Sequence, residues 1–269
     1  MKKTTFFSFI FLLPLFLFSQ EKELGAWLGA AHYFGDLNTT TSFRHVRPAG
    51  GLIGRYNFSP FFAARASLDL GFVGFSDNPS KKKFQQKRNL SFTSIIVEAS
   101  AQLEFNFFKF EFGNERYWNT PFIFGGFGVF YFNPKTSGAK LKRASTEGQG
   151  LVSYPDKKEY FLIQPTLLYG GGFKFRFKKS YWSWGIEAGN RHTFTDYLDD
   201  VSTTYPDKFS LASEKGADAV ILSDRSLETG EEFGEAGRQR GDSKKKDSYF
   251  FAGFTLTYTF RNLKCPNPY

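Results

Sequence analysis

Residues 95–107 read IIVEASAQLEFNF, and their side chains alternate between apolar and polar types. The odd-numbered positions, from Ile95 to Phe107, are all apolar. The even-numbered positions from Glu98 to Asn106 are all polar or charged. A side-chain period of two places these two sets on opposite faces of a β-strand. We therefore expect a long strand with one apolar and one polar face.

The same kind of segment recurs along the chain. We count eight, at residues 24–34, 49–58, 61–75, 90–108, 121–132, 161–177, 181–191 and 248–260. Their lengths match or exceed the roughly 9–11 residues that a tilted strand needs to cross a bilayer. Eight such segments predict an all-β fold, an antiparallel eight-stranded transmembrane β-barrel.

The connections between these segments alternate in length. Those at 57–60 and 178–180 are short, and the one at 113–120 is of middling length. The longer connections lie at residues 35–48, 76–89, 133–160 and about 192–247. Because outer-membrane barrels have short periplasmic turns and longer external loops, we expect both chain ends in the periplasm.

Composition is also typical of this class. Aromatic residues make up 20% of the chain, and Phe alone supplies 36 residues, yet the mean hydropathy is −0.36. A helical membrane protein would be more apolar, whereas a membrane barrel turns every second residue toward a polar lumen. A soluble barrel of the lipocalin type, with the apolar face inward, fits the same alternation.

Two features favour the membrane barrel over the soluble one. Aromatic residues gather near the strand ends, as interfacial girdles do. The polar face carries charges of both signs that could pair across a narrow lumen, at Arg65, Asp69, Glu98, Glu104, Lys174, Glu187 and Arg191.

The first 20 residues predict a signal peptide. Lys2 and Lys3 precede an apolar run at residues 6–18, which is too short to span a membrane as a helix. We therefore divide the chain into a signal peptide at 1–20, an outer-membrane barrel at 21–260 and a periplasmic tail at 261–269.

The chain is basic, with a formal charge of +9, or +7 without Lys2 and Lys3, at 33 basic against 26 acidic residues. The densest basic run is KKKFQQKR at residues 81–88. Nucleic-acid binding is a poor interpretation for an external loop. Contact with lipopolysaccharide phosphates and a simple solvated loop both remain open.

Catalytic and phosphate-binding patterns are weak. The three histidines, His32, His45 and His192, lack a metal-ligand spacing, and no spacing singles out a Ser-His-acid triad. The glycine runs at 125–126 and 170–172 lie inside aromatic segments without the Lys-Ser/Thr of a phosphate loop. We expect these glycines to relieve crowding, and we expect no catalytic residue and no cofactor.

An acidic stretch opens the longest loop. Asp196, Asp199 and Asp200 offer oxygen ligands for Ca²⁺ but lack the EF-hand pattern. A turn in which Asp side chains accept hydrogen bonds from backbone N–H groups is the simpler interpretation, so we expect no metal site.

The tail has the composition of a docking segment. Residues 261–269 read RNLKCPNPY, and the two prolines favour an extended chain. Cys265 is the only cysteine, so a free thiol and a disulfide to a partner are both open. The candidate partner-binding residues are Lys264, Cys265, Pro266 and Tyr269.

Three motifs resemble the PorG family: ELGAWLGAAHYFGDLN at residues 23–38, TFTDYLDDVS at 193–202, and the Lys264-Cys265-Pro266 ending. The resemblance covers nearly the whole mature chain. It implies an outer-membrane barrel of the type IX protein secretion system, often alongside gliding motility. It further implies association with periplasmic rings of the PorK lipoprotein and PorN, and no catalysis.

Other roles fit the same sequence. A small stand-alone outer-membrane channel and a loop-presenting adhesion barrel share the fold, and a lipid-modifying enzyme would need a Ser-His pair that the sequence does not single out. The partners that we expect are the ring proteins, outer-membrane lipids and lipopolysaccharide phosphates, without nucleic acid.

Overall fold

A computed structural model describes residues 21–39, 42–111 and 115–260. Within them lie eight long strands: β1 (Glu21–Phe34), β2 (Arg47–Asn57), β3 (Phe62–Ser76), β4 (Ser91–Asn106), β5 (Asn119–Phe132), β6 (Ile163–Arg176), β7 (Trp182–Thr193) and β8 (Ser248–Phe260). Each corresponds to one predicted segment; β8 has the predicted bounds, and the other seven differ by a few residues at the ends.

The eight strands close into one barrel. Every strand pairs in antiparallel fashion with its neighbours in sequence, from β1 with β2 through to β7 with β8. The last strand returns to the first, with Lys22 opposite Phe260 and Phe34 opposite Ser248. The predicted antiparallel eight-stranded barrel is confirmed.

The two faces of the barrel wall differ in chemistry. Outward side chains are apolar, and Leu28 and Phe127 are 75% and 71% exposed. Of the seven charged side chains that were predicted to share a face, six are buried inside and Glu187 is half-buried. A soluble barrel would have the opposite arrangement, so the soluble alternative is wrong and the barrel is transmembrane.

Exposed aromatic side chains lie around both rims, as the girdle interpretation predicts. At one rim they are Phe58, Phe62, Phe107, Phe108, Trp118, Phe177, Tyr181, Trp182 and Phe260. At the other they are Phe43, Tyr131, Phe161 and Phe194.

The connections divide between the two ends. The short connections at 58–61 and 177–181 lie at the end where β1 begins and β8 finishes, which we call the turn end. The connection at 107–118 lies at the same end and, with 12 residues, is as long as the connection at 35–46 at the other end. Loop 1 (35–46), loop 2 (77–90), loop 3 (133–162) and loop 4 (194–247) lie at the other end, which we call the cap end.

The loops at the cap end contain short helices. Loop 2 holds α1 (Lys83–Arg88), loop 3 holds α2 (Leu141–Ala144), and loop 4 holds α3 (Lys208–Lys215) and α4 (Ala217–Ser223). Two 3₁₀ turns cover Glu115–Tyr117 and Arg225–Thr229, and Lys135–Thr136 pairs with Ala139–Lys140 as a small hairpin. Helix α3 begins after Asp207, whose carboxylate accepts the Ser210 N–H at 2.8 Å.

These loops pack on one another into a folded cap. Leu211 of α3 and Ala219 of α4 are buried against Ala144 and Leu151 of loop 3. In the part of the chain that the structure describes, no helix combines the length and apolar character needed to cross a membrane.

The glycine run at 170–172 lies in β6, as predicted. A Cβ added at Gly170 would lie 2.6 Å from Cζ of Phe124, a buried ring on the neighbouring β5. The glycine therefore leaves room for an aromatic side chain of the neighbouring strand, and the crowding interpretation is confirmed at Gly170. It does not hold at Gly125, where an added Cβ would meet nothing closer than 3.9 Å.

Two predicted segments lie outside the described residues. They are the signal peptide at 1–20 and the tail at 261–269, which contains Lys264, Cys265, Pro266 and Tyr269. Both remain predictions.

Candidate functional site

Glu104 is the centre of an ion-pair network in the lumen near the turn end. Its carboxylate accepts hydrogen bonds from Arg55 at 2.7 and 3.1 Å. Arg65 approaches the same carboxylate at 3.5 Å, and Lys174 also donates to it. All four side chains are buried. Charges taken out of water are costly unless paired, so the three cations depend on this one carboxylate for their neutralisation.

The network extends from Glu104 across the barrel. Arg65 donates two hydrogen bonds to Glu187 of β7, both at 2.7 Å. Arg55 also pairs with Glu23 of β1, which accepts a further hydrogen bond from Asn57 at 2.8 Å. Residues from six of the eight strands are thereby joined through the interior.

A second set of buried polar side chains lies in the lumen on the cap side of this network. Asp69 accepts hydrogen bonds from the Trp27 indole at 2.6 Å and from the Ser67 hydroxyl at 2.7 Å. Glu98 accepts a hydrogen bond from the Tyr249 hydroxyl at 2.6 Å, and Arg191 lies 3.5 Å from the same carboxylate.

Aromatic rings occupy the lumen toward the cap end. They are the buried rings of Tyr33, Phe92, Phe130, Phe132, Tyr249 and Phe251. Ion pairs, hydrogen-bonded layers and rings together fill an eight-stranded barrel with side chains, as its small diameter requires.

The hydroxyl of Tyr33 links the cap to the barrel wall through polar contacts. Its hydroxyl donates to the carboxylate of Asp199, and it also lies 3.2 Å from Oδ1 of Asp247. Asp247, just before β8, accepts the Leu198 N–H at 3.0 Å. The end of β1 and both ends of loop 4 therefore meet at one point.

Loops 3 and 4 are joined by buried charges. Glu147 of loop 3 accepts the N–H groups of Ser202 and Thr203 at 2.8 and 2.9 Å, and pairs with Arg240 at 3.2 Å. In the same region, Asp200 accepts a hydrogen bond from the Tyr160 hydroxyl at 2.7 Å.

The basic run at 81–88 contributes two interior side chains to the cap. Arg88 donates to Asp77 at 2.7 and 3.0 Å and to the Arg240 carbonyl at 2.6 Å. Gln85 donates to the Leu37 carbonyl at 3.0 Å. Six of the eight residues of this run are helical and two are buried, so it is not simply the solvated basic loop that its composition suggests.

Burial in the cap changes the titration of its carboxyl groups. Desolvation, with the charge of Asp36 nearby, raises the pKa of Asp199 well above its usual range. Desolvation and the charge of Asp199 do the same for Asp247. Desolvation also raises the pKa of Asp196 to about 7 and that of Asp200 to about 6. The cap therefore contains several Asp carboxyl groups that stay protonated at pH values where an ordinary Asp side chain is ionised.

The acidic stretch 196–200 has a structural role. Asp199 accepts the Val201 N–H at 2.9 Å, and Asp196 accepts a hydrogen bond from the Ser202 hydroxyl at 2.6 Å. The turn interpretation is confirmed at Asp199. Among the described residues, no group of three or more His, Cys, Asp or Glu side chains is arranged to hold a metal ion.

The candidate histidines make local contacts. His32 Nε2 lies 3.0 Å from the Asn38 amide nitrogen, and the His32 ring stacks on Phe43 at a centroid distance of 5.0 Å. The exposed His192 makes an edge contact with Phe194.

The structure brings together two motifs that are far apart in sequence. Tyr33 and Asp36 of the first motif lie in the cap junction with Asp199 of the second. The sequence identified each motif but held no signal for their contact, because long-range pairing cannot be read from local spacing.

Three solved structures are similar to the chain. The outer membrane protein OprG from Pseudomonas aeruginosa is 7% identical, with 91% of this chain and 97% of that chain covered and a TM-score of 0.45. Neisserial surface protein A is 6% identical, with 89% and 97% covered and a TM-score of 0.43. Ail, the attachment invasion locus protein of Yersinia pestis, is 10% identical, with 90% and 100% covered and a TM-score of 0.40. These values are low, so the barrel assignment rests on the strand pairing of the chain itself.

No curated protein matches the sequence. The family model described as "Domain of unknown function (DUF6089)" matches residues 2–215, which is most of the chain.

Proposed function

The chain belongs to the DUF6089 family, and we propose that it is a non-catalytic outer-membrane barrel of the type IX secretion system. In this role it anchors or organises the periplasmic ring at the outer membrane. The ring partners that we propose are proteins of the PorK lipoprotein and PorN type, because the resemblance to the PorG family implies them. The cap end then faces outside and the turn end faces the periplasm, as in barrels with long external loops.

The observation that carries the proposal is the position of Phe260. This last residue of β8 lies at the turn end, opposite Lys22 of β1. The tail, residues 261–269, therefore begins on the side of the short turns. A segment with two prolines and one cysteine on that side is suited to docking on a periplasmic protein.

The filled lumen supports a role in anchoring over a role in transport. Glu104 and the three cations around it are buried across the lumen, and aromatic rings follow toward the cap end. A solute would have to displace paired charges that are costly to separate. The surfaces that remain for function are the cap, the outer wall and the turn end with its tail.

Affinity purification of the tagged full-length protein from detergent-solubilised membranes tests the proposal. We expect the wild type to recover periplasmic ring proteins, and a chain that ends at Phe260 to lose them. If Cys265 forms a disulfide to a partner, a heavier species will appear on non-reducing gels. Reductant and the substitution Cys265→Ser should both remove that species.

The matched control is a pair of cap substitutions, Lys244→Gln and Lys245→Gln, which alter exposed charge at the opposite end of the barrel. This variant should recover the ring proteins as the wild type does. Recovery of the barrel alone from every sample would contradict the anchoring role.

A second candidate is a barrel that presents its cap to an external partner. The observation that favours it is the exposure of apolar side chains on the cap, where Phe209 and Val152 are 82% and 88% exposed. Failure to recover ring proteins would favour this role. A stand-alone channel would instead give steady conductance in planar-bilayer recordings, which the filled lumen argues against.

A further inference from the structure

A cavity of about 360 Å³ lies where loops 3 and 4 meet the rim of the barrel at the cap end. Four cationic side chains line it: Lys140, Lys142 and Arg143 from loop 3, and Lys215 from the end of α3 in loop 4. Glu159 is the one carboxylate in its lining. The lining therefore carries a net charge of +3, from four cations and one anion.

The cations of this cavity are weakly neutralised. Within the described ranges, their one ion pair is the 3.7 Å contact between Lys142 and Glu159, and both of these side chains are partly exposed. Like charges held close together repel one another, and an electropositive concavity attracts anions. A bound anion would relieve this repulsion, and lysine and arginine side chains are the usual partners of phosphate groups.

The cavity also adjoins the lipid-facing wall. Tyr131 and Leu162 line it, and Tyr131 lies near the end of β5, paired with the exposed Ile163 at the start of β6. Below them on β5, Val129 and Phe127 are exposed on the same face. A cationic recess thus stands directly above an apolar column on the membrane surface.

This arrangement fits an amphiphile better than a soluble anion. A phosphate group in the recess would leave the attached acyl chains beside the apolar column of β5 and β6. The volume is within the range of small-molecule sites, roughly 300–1,000 Å³, so a phosphorylated sugar is accommodated as well as a phosphate group.

We propose that the cavity binds the phosphorylated sugar head group of a glycolipid of the lipopolysaccharide type in the outer leaflet. Lys140, Lys142, Arg143 and Lys215 contact the phosphates, and the acyl chains lie along β5 and β6. This site is separate from the basic run at 81–88, and it does not depend on docking of the tail at the turn end.

Retention of a defined lipid tests the proposal. The full-length protein is placed in nanodiscs that contain bisphosphorylated lipid A at a limiting ratio in a neutral phospholipid, and bound lipid A is counted by native mass spectrometry. In the neutral variant, Lys140→Gln, Lys142→Gln, Arg143→Gln and Lys215→Gln, we expect retention to fall by at least about tenfold, since each cation near a membrane surface adds to anion affinity.

Two further variants test whether a loss of lipid A retention comes from the cavity itself, rather than from misfolding or from a general loss of positive charge. A charge-retaining variant, Lys140→Arg, Lys142→Arg, Arg143→Lys and Lys215→Arg, should retain lipid A as the wild type does. A surface control with the same loss of charge outside both the cavity and the basic run at 81–88, Lys178→Gln, Lys179→Gln, Lys244→Gln and Lys245→Gln, should also retain it.

Three results would overturn the proposal. The first is equal retention by the neutral variant and the wild type, and the second is an equal loss in the surface control. The third concerns the source of the anion: if inorganic pyrophosphate or phosphatidylglycerol binds the wild type as tightly as lipid A, the site does not recognise a phosphorylated sugar lipid.

Discussion

The hydroxyl of Tyr33 donates a hydrogen bond to the carboxylate of Asp199, and thus joins the end of β1 to a loop 166 residues later in the chain. The same hydroxyl lies 3.2 Å from Asp247, just before β8. One phenol therefore connects the barrel wall with both ends of loop 4. Because loop 4 packs on loop 3, this junction links both loops to the end of β1.

Removing this hydroxyl should loosen the cap. In Tyr33→Phe, the buried carboxyl group of Asp199 loses its hydrogen-bond donor and Asp247 loses a polar neighbour, and an unsatisfied buried polar group typically costs about 1–3 kcal/mol. We expect faster amide hydrogen exchange in loops 3 and 4, with little change in the strands near the turn end. The control is Tyr258→Phe, on the outer face of β8. Equal exchange rates in the cap of Tyr33→Phe and wild type would contradict this role.

The cap should also loosen as the pH rises. The pKa of Asp196 is raised to about 7 and that of Asp200 to about 6, whereas both groups titrate near 3.8 in an unfolded chain. A folded-state pKa above the unfolded value adds stability that is complete below the unfolded pKa and is lost through the folded pKa. Protease cleavage within loop 4 should therefore be slower at pH 5 than at pH 8.

The substitution Asp196→Asn isolates the contribution of one of these acids. Asn keeps an acceptor for the Ser202 hydroxyl but does not titrate. We expect a smaller difference in cleavage rate between pH 5 and pH 8 than in the wild type. Faster cleavage of the wild-type cap at pH 5 than at pH 8 would contradict the predicted pH dependence.

The centre of the lumen network should be sensitive to loss of charge. In Glu104→Gln, Arg55, Arg65 and Lys174 lose the carboxylate that they share, and unpairing a buried charge costs about 3–5 kcal/mol. Urea unfolding of the barrel in lipid vesicles measures this cost. The surface control Glu235→Gln breaks an exposed pair with Arg238 and should cost less than about 1 kcal/mol.

Substitutions on the outer wall test whether this surface faces lipid. Phe127 lies midway along β5 with its side chain outward, so Phe127→Arg should destabilise the barrel in vesicles by about 2–4 kcal/mol. Phe127→Leu should have a small effect. An arginine that leaves stability unchanged at this position would indicate that the wall faces water.

The wall of this barrel could be predicted from sequence because each strand has its own periodic signal. The alternation around Glu98 and Glu104 gave the strand and the set of side chains that share a face, since a period of two fixes which side chains lie on one side. The inward direction of that face was inferred from its charges of both signs and from the aromatic residues near the strand ends. The partners of those charges could not be predicted in the same way. Arg55 reaches Glu104 only because strand tilt and register bring them to the same level of the lumen.

The cap was harder to predict for a related reason. The contact of Tyr33 with Asp199, the pairing of Arg88 with Asp77, and the grouping of Lys215 with Lys140 depend on how loops pack. Local propensity carries no information on such packing, so the sequence showed the basic run at 81–88 but not the cationic cavity between loops 3 and 4.

The orientation of the barrel is the claim on which the anchoring role depends, and cysteine labelling tests it most directly. Cys265 is the only cysteine, so after mild reduction a membrane-impermeant maleimide reports the location of the tail. A second reporter is Phe209→Cys in a Cys265→Ser background, on the exposed surface of the cap. We predict that the cap reporter is labelled in intact cells, and that Cys265 is labelled only after the outer membrane is permeabilised. Labelling of Cys265 in intact cells, with protection of the cap reporter, would contradict the account.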